Sequence, residues 1–573
     1  MRATLTNHTV AHAPVHRRAS RSGCSPMRRA LARALASATL PRRNELSKRA
    51  VVWRAPPCWS APRRALCSSA DEVEEEQKIA THLHAALGDP DLVARVLPHL
   101  PRPLVDTDTD TEDGDGSSST STSTSSISEK KKRKTRVAVG LSGGVDSAVT
   151  AWLLKTAGYD VTCVLMRNWD EAEETGGQCD FEKDQRDAAA VAGHLNLKLK
   201  QVDFVKEYWH SVFAPFLKDF NGGNATPNPD LACNRHIKFG ALLAHCENNL
   251  ITDVLATGHY ARVVCKSSSK NEKQPIPTLL RGVDDTKDQS YFLASVTGES
   301  LKRACFPLGG LTKTQVKQIA SGAANLPQQI TTRRSSAGIC FIGRKQNFGD
   351  FIAEYDLGDG GGAQGTREMD YEGTEEDSKQ ASSASPVRGT FVSVDDGSTV
   401  GPHKGLTGYT VGQRARLGGE PVPWYVVGKD ASVGRNVAYV APGADHPALF
   451  ATSCVVGRCF WVTGEVPDFG SEEFEQSKLT AQTRYGGDAV PCVARVVPYG
   501  QLPTIEPTKY GSSAYSDDTG DDTEHQLVEI FFEQPTRALT PGQALVLYLS
   551  DSVVGGGVVV YPGRSEHEKV LDY

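Results

Sequence analysis

Leu141-Ser142-Gly143-Gly144-Val145-Asp146-Ser147 follows the short apolar run Val137-Ala138-Val139-Gly140. The run reads as a buried strand. Residues 148–159, with Ala151, Leu154 and Ala157 at helical spacing, read as a helix. The heptapeptide therefore sits at a strand-to-helix turn. Gly143 and Gly144 let the backbone approach an anion closely, and Ser142 and Ser147 add hydroxyl donors. The start of the helix adds unpaired N–H groups and the positive end of a dipole. A turn of this kind is a phosphate cradle. No Gly-Lys-Ser/Thr follows, so it is not of the Walker type.

The alternation continues beyond the turn. Strands are predicted at 160–166, 198–204 and 252–257, and a helix at 184–195. Strands alternating with helices give a doubly wound parallel sheet, an α/β fold, with ligands bound beyond the carboxyl ends of the strands. The loop 141–147, Met166 and the turn Gly258-His259-Tyr260 all fall at such ends. Met166 either packs on an adenine or belongs to the core.

Residues 224–240 read NATPNPDLACNRHIKFG. Pro227 and Pro229 stop regular structure, so a rigid loop precedes a helix starting near Ile237. The loop presents Asn228, Asp230, Cys233 and Asn234 together. Asn and Asp side chains can read a base edge, and Cys233 is a candidate nucleophile or an ordinary buried thiol. Asp288-Gln289-Ser290-Tyr291-Phe292 begins a helix. Ser336-Ala337-Gly338-Ile339-Cys340 places a second thiol in a tight turn. After residue 385 the chain breaks into short strand-like runs at 389–395, 424–429, 436–440, 526–532, 544–548 and 558–560, the pattern of small all-β modules.

Residues 1–70 stand apart. They hold 13 Arg and one Lys against the single acid Glu45, a net charge of +13, and 27–40 can form a basic amphipathic helix. This composition is that of an organellar transit peptide, with a basic RNA-binding arm as the alternative. Residues 71–100 have room for a short helix or two, and 106–134 are low-complexity, so 71–134 reads mostly as a disordered linker. The whole chain carries −6, which leaves −19 beyond residue 70. Three acidic windows account for most of it: −6 at 106–115, −6 at 359–378 and −5 at 506–524. The folded body is thus near neutral, and only a local basic patch can draw a nucleic acid. The thirteen cysteines are scattered and odd in number, which suits reduced thiols inside a cell or organelle better than a secreted framework.

Ser-Gly-Gly-x-Asp-Ser resembles the signature loop of the ATP pyrophosphatases. TPNPDLACN, IKFG, ATGHYAR, DDTKDQSYFL, FPLGGLTK and SAGICFIG follow it in the order found in the tRNA-specific 2-thiouridylases. GLTGYTVGQR, PWYVVGKD, TRYGG and LTPGQALVLY continue the match over 135–573, apart from windows near 266–278, 359–386 and 503–525. The resemblance implies an ATP pyrophosphatase domain at 135–341, a small central domain at 342–449 and a C-terminal β-barrel at 450–573. It implies ATP-dependent sulfur transfer to C2 of a tRNA wobble uridine, with ATP and Mg²⁺ required and a cysteine desulfurase or sulfur-relay protein as persulfide donor. Gly140, Leu141, Ser142, Gly143, Gly144, Val145, Asp146, Ser147, Met166 and Gly258 match ATP-binding positions, and Asp146 is the candidate to help hold Mg²⁺. Cys340 matches the sulfur-carrying cysteine, and Cys233 its catalytic partner. Asn228, Pro229 and Asp230 match contacts to the target base. His259, Lys287, Asp288, Gln289, Arg484, Tyr485 and Gln543 match positions that touch tRNA.

One position departs from the family. An acidic residue usually precedes the Ser of the second cysteine motif, whereas here Ser335 follows Arg333-Arg334. Ser335 can replace a helix cap but not a charge. Amide-forming ATP pyrophosphatases share the phosphate loop but have no need of two cysteine motifs. A non-catalytic RNA-binding relative has no need of Cys233, Cys340 or Asp146, and all three are present. The basic leader generates a direct test: residues 1–70 fused to a fluorescent reporter should carry it into mitochondria, with plastids the alternative, and a diffuse cytosolic signal would refute the reading.

Overall fold

The strand–loop–helix around 141–147 is β1 (Arg136–Gly140), a four-residue turn and α3 (Val145–Thr156) in a computed structural model of the chain. The structure describes residues 70–102, 133–169, 180–222, 225–266, 276–333, 352, 389–432, 436–498, 500–510 and 526–571. β1 is hydrogen-bonded on both sides, to β2 (Asp160–Arg167) and to β4 (Val254–Ala256), both parallel. A central parallel strand is covered on both faces, which is why Val137, Ala138 and Val139 are apolar without alternation. β3 (Lys198–Asp203) lies outside β2 and β7 (Ala304–Cys305) outside β4, giving the order β3-β2-β1-β4-β7. The chain runs outward from β1 to β3 and then returns to the other side of β1. The strand order therefore reverses between β1 and β4, where doubly wound sheets form their ligand crevice.

Residues 71–100, where a short helix or two was expected, hold α1 (Ala70–Leu87) and α2 (Pro90–Val96). Asp89 caps α2, its carboxylate accepting from the amides of Asp91 and Leu92. Ile79 and Leu83 on α1 and Val93, Val96 and Leu97 beyond it are buried. The pair is tied to the sheet domain, since Tyr159 donates to the Pro101 carbonyl at 2.6 Å and the Cys305 thiol to that of His99 at 3.0 Å. A departure from expectation is the start of the thiol helix. Asn228 caps a helix that begins at Pro229, not near Ile237, and runs as Pro229–Ala232, a π-helical stretch Cys233–Leu242 and Leu243–Asn248. Proline is well suited to a first helical turn, because its missing N–H would have no partner there. Pro229 was a start signal rather than a breaker.

The C-terminal half contains two β modules. The first is a four-stranded sheet, β10-β11-β8-β9, built from β8 (Gly389–Ser393), β9 (Thr399–His403), β10 (Trp424–Asp430) and β11 (Val437–Pro442). The second is a six-stranded barrel. It uses β12 (Phe450–Trp461), β13 (Leu479–Gln482), β14 (Val490–Val496), β15 (Val528–Arg537), β16 (Ala544–Leu549) and β17 (Ser552–Pro562), and it closes where β12 pairs with β17. A hairpin from within the catalytic region, β5 (Ala261–Lys266) and β6 (Ile276–Arg281), joins the edge of the barrel sheet beside β17.

β16 explains how barrel and α/β domain hold together. Its side chains alternate between faces. Leu545 and Leu547 join the barrel interior with Val456, Ala481, Val528 and Ile530. Ala544, Val546 and Tyr548 join a second cluster with Leu231, Cys233, Ile237, Tyr291 and Leu293 of the α/β domain. Both faces are buried, so the strand reads ALVLYL with no exposed polar register. Polar bonds reinforce the seam: Tyr291 donates to the Ala544 carbonyl at 2.8 Å, and the Arg281 guanidinium lies 3.4 Å from the centre of the Tyr548 ring. None of the described helices is long and apolar enough to cross a membrane. The docking of α1 is testable. Leu83 is fully buried, so Leu83→Ala should lower unfolding free energy by about 2–5 kcal/mol in a urea titration, whereas a linker residue would leave the midpoint unchanged.

Candidate active site

The phosphate loop is shaped by its own backbone. The Leu141 amide donates to the Val164 carbonyl at 2.8 Å, which ties the loop to the end of β2. Gly143 has φ of 72°, in the left-handed region, and a Cβ there would come within 2.9 Å of the Asp184 carbonyl and the Asp187 Cβ. Gly144 occupies the N-cap of α3 without a side-chain cap. The first amides of α3 are therefore not taken by a capping side chain, as an anion site needs. The Ser147 hydroxyl donates to the Gly144 carbonyl at 3.1 Å, lies 3.3 Å from the Ser142 hydroxyl and accepts from the Ser142 amide at 3.2 Å. Ser147 thus braces the loop from inside, while Ser142 is exposed.

Gly258, expected to touch ATP, is also the point where β4's exit loop meets α3. A Cβ on it would come within 2.8 Å of the Ser147 amide nitrogen and 2.9 Å of the Asp146 carbonyl carbon. Only glycine permits this approach. Met166, at the end of β2, packs against the core and stays half-buried.

Asp146 is not open to a metal in this arrangement. Lys313 Nζ lies 2.6 Å from both of its carboxylate oxygens, and Tyr260 donates to Oδ1 at 2.7 Å. Burial, and after it the Asp146 carboxylate, push the Tyr260 phenol up, so it remains a donor. The carboxylate proposed to help hold Mg²⁺ is thus paired with the Lys313 ammonium, which a metal ion there would have to displace. Lys313 escaped the sequence reading although GLTK was among the matched motifs. A signal was available: Lys313 opens its helix, Lys313–Ser321, where the dipole disfavours a cation. A capping box between Thr312 and Gln315 and the bond from the Lys313 amide to Asp284 at 2.8 Å fix that helix start.

A second cation was also missed. Arg333 donates to Asp187 at 2.8 Å and to the Gly143 carbonyl at 3.3 Å, and pairs with Asp184. Both acids lie on α4 (Asp180–His194), so one guanidinium fastens α4 to the phosphate loop. Residues 334–350, with Ser335 and Cys340, lie outside the described residues.

The thiol helix reaches the same place. Cys233 is fully buried at the start of its π-helical stretch, where the i→i+5 geometry is often found at functional sites. Phe239 on this helix lies 6.0 Å from the His259 ring, and Gly258 next to His259 touches α3. At the helix start Asn228 Oδ1 accepts from the Asp230 amide at 3.0 Å, which leaves the Asn228 NH₂ for another partner. Pro229 is buried and Asp230 half-buried.

The expected tRNA contacts divide. Arg484 and Tyr485 are exposed at a barrel turn. The Tyr485 ring lies 4.4 Å from that of Phe292, whose carbonyl accepts from Asn234 Nδ2 at 3.0 Å. The barrel turn is thus two contacts from Cys233. Lys287, Gln289 and Gln543 are half-buried. Gln289 exchanges two bonds with Tyr260, at 2.9 and 3.1 Å, and Gly542 beside Gln543 packs on Ala225 and Thr226. His259 and Asp288 are buried, and their side chains are engaged within the protein. His259 is buried between Phe239 and Phe306 and lies 2.7 Å from the Thr257 hydroxyl. Burial, with the Lys238 charge behind it, holds its imidazole well below the ordinary value and keeps it neutral. Asp288 accepts from the amides of Gly282 and Ser290, from the Ser290 hydroxyl and from Arg281. Its carboxylate organises the turn that carries Lys287 and Gln289.

The close approach at Gly258 yields a prediction. Gly258→Ala should displace the start of α3, costing about 1–3 kcal/mol of stability by overpacking. ATP binding, measured by calorimetry on folded protein, should weaken about tenfold or more, equivalent to ~1.4 kcal/mol. Unchanged affinity would show that the crevice between β1 and β4 is not the nucleotide site.

Comparison with known proteins bears on the chain from residue 135 onward. Residues 135–344 match the tRNA methyl transferase HUP domain, 380–442 the tRNA methyl transferase PRC-barrel domain and 521–559 the aminomethyltransferase beta-barrel domain. The chicken mitochondrial tRNA-specific 2-thiouridylase 1 is 36% identical over 455 residues, covering 75% of this chain and 92% of that protein. The human protein of the same name is 36% identical over 447 residues, with 75% and 91% covered. The tRNA-specific 2-thiouridylase MnmA of Streptococcus thermophilus is 38% identical over 430 residues, with 74% and 95% covered. At this identity and coverage, and with an α/β domain packed on a six-stranded barrel, the chain belongs to the tRNA-specific 2-thiouridylase family.

Proposed function

We propose that this protein, in an organelle, replaces the C2 oxygen of a tRNA wobble uridine by sulfur at the expense of ATP. The products are 2-thiouridine, AMP and pyrophosphate. The observation that carries the reading is the contact path from the phosphate loop through Gly258, His259 and Phe239 to the helix of Cys233. It supports a reading in which the nucleotide cradle and the thiol helix serve one site.

A urea-like carbonyl does not exchange its oxygen readily, because oxide is a poor leaving group. The uridine O2 would first attack the α-phosphorus of ATP, releasing pyrophosphate and leaving an adenylated uridine. The amides of the 141–147 loop and α3 would hold the phosphates, with Lys313 and Arg333 as nearby positive charge. Mg²⁺ would supply further charge neutralisation when bound with ATP. The sulfur would arrive as a persulfide on Cys340, donated by a cysteine desulfurase or a sulfur-relay protein. The Cys233 thiolate would attack the Cys340 sulfur, forming a Cys233–Cys340 disulfide and expelling hydrosulfide. Hydrosulfide adds to C2, and AMP leaves with the original oxygen. The disulfide then needs a two-electron dithiol or thiol reductant before the next turnover. Full burial of Cys233 suits this step, since water is kept from the released sulfur. Asp230 and the Asn228 amide would hold the uracil edge once the base is flipped from its stack. Arg484, Tyr485 and Lys287 would hold the tRNA outside.

The two thiols should fail differently. Cys340→Ser should neither accept a persulfide nor thiolate tRNA. Cys233→Ser should accept the persulfide and retain it, giving a peptide 32 Da heavier, as expected for about one added sulfur atom on a thiolate carrier. Intact-peptide mass spectrometry and 2-thiouridine analysis distinguish the two. Wild-type thiolation by Cys233→Ser would reduce Cys233 to a packing residue.

A further inference from the structure

Three metal-ligating side chains meet far along the chain from the thiols. Asp395 follows β8, His446 precedes β12, and His567 lies on the C-terminal helix Glu566–Leu571. One ligand atom from each falls within 4.8 Å of the other two. His446 Nε2 is 3.0 Å and His567 Nε2 3.8 Å from the same Asp395 Oδ1. The two imidazole rings are 5.2 Å apart. Two bonds of zinc length at a tetrahedral angle separate ligand atoms by about 3.3 Å, between these two distances.

Hydrogen bonding alone leaves this cluster incomplete. His446 Nδ1 accepts from the Ala448 amide at 3.2 Å, so Nε2 is the nitrogen left for a proton or a metal, and it faces Asp395. His567 Nε2 is buried without a hydrogen-bond partner, and Asp395 Oδ1 is beyond hydrogen-bond reach of it. A buried imidazole nitrogen without a partner is costly, and an ion held between the three groups would satisfy it.

The C-terminal helix is also held in place to present His567. The neighbouring Glu568 is buried and accepts from the Ser565 amide and hydroxyl at 2.8 and 2.7 Å. It also accepts from the Lys509 amide at 2.7 Å and from the Thr508 hydroxyl at 2.8 Å. These bonds prepay the ordering that a ligand on a free terminus would require. Asp395 stays exposed, which leaves a path for entry and room for water as a fourth ligand.

We propose that Asp395, His446 and His567 bind one divalent ion of the zinc class, which clamps the C-terminal helix to the central sheet. Two imidazoles with one carboxylate suit zinc, cobalt or nickel. Calcium and magnesium take oxygen ligands in larger number.

The test uses the full chain, stripped with chelator, kept reduced and titrated with Zn²⁺ or Co²⁺. One ion per chain should bind beyond the number taken by His446→Ala/His567→Ala, and Tm should rise with Zn²⁺ in the wild type only. Asp395→Asn, which keeps the side chain's shape, should weaken the site at least tenfold. The Co²⁺ spectrum of this site should lack thiolate charge-transfer bands. Equal stoichiometry and equal Tm response in wild type and variants would overturn the proposal, as would a thiolate band that accounts for all bound ion.

Discussion

The approach of Gly258 to the first turn of α3 is the contact on which the site depends. It sets the exit of β4 directly against the start of the helix that follows β1. With no side chain between them, the exit of β4 packs directly on the first turn of α3. His259 and Tyr260 follow at once in sequence and face opposite tasks. His259 packs into aromatic rings shared with the thiol helix. Tyr260 turns to Asp146 and exchanges backbone and side-chain bonds with Gln289. A displacement at residue 258 would therefore reach the phosphate loop, the thiol helix and the 284–290 turn together.

The barrel is fixed to this crevice by apolar burial rather than by a hinge. β16 gives one face to the barrel interior and the other to the core that contains Cys233 and Tyr291. The β5–β6 hairpin adds backbone pairing across the same seam, with the Arg281 amide donating to the Asp551 carbonyl at 2.9 Å. The consequence for a large substrate is geometric. A tRNA gripped at Arg484 and Tyr485 would be held at a set distance from Cys233, because Tyr485, Phe292 and Asn234 are in successive contact. Positioning of this kind lowers the entropy that the reacting groups must lose.

Local signals in the sequence made the sheet legible. β1, β2, β3, β4 and α3 were readable because buried parallel strands are apolar runs and glycines mark the turn. The hairpin β5–β6 and strands β9, β12, β13 and β14 were not read, since their alternation is broken or, for β6, a partner strand lies far along the chain. β12 carries Arg458, whose guanidinium pairs with Asp219 of the α/β domain at 2.9 Å, and such a charge hides a buried strand. Among site residues, the glycines of the 141–147 turn were legible from backbone shape, whereas Pro229 was read as a breaker although it starts a helix. The burial of His259 and Asp288 was not legible, because motif position does not reveal whether a polar side chain faces solvent or satisfies its neighbours. Lys313 and Arg333 were missed because their partners, Asp146 and Asp184 with Asp187, are remote in sequence.

Those two cations decide how the site treats charge. Asp146 lies in the first turn of α3, where the helix dipole favours a carboxylate, yet the same carboxylate would repel incoming phosphates. Lys313 removes that conflict by neutralising it at 2.6 Å. Arg333 is balanced in turn by Asp184 and Asp187. The loop therefore meets its ligand with both cations already engaged, and anion binding rests first on the backbone amides of the loop and α3. A triphosphate entering the crevice would then compete with Asp146 for the Lys313 ammonium. An ammonium on a flexible stem can turn toward a phosphate more readily than a guanidinium held by two carboxylates and a carbonyl. Lys313 would thus be the charge that turns to the ligand, while Arg333 would stay with Asp184, Asp187 and the Gly143 carbonyl.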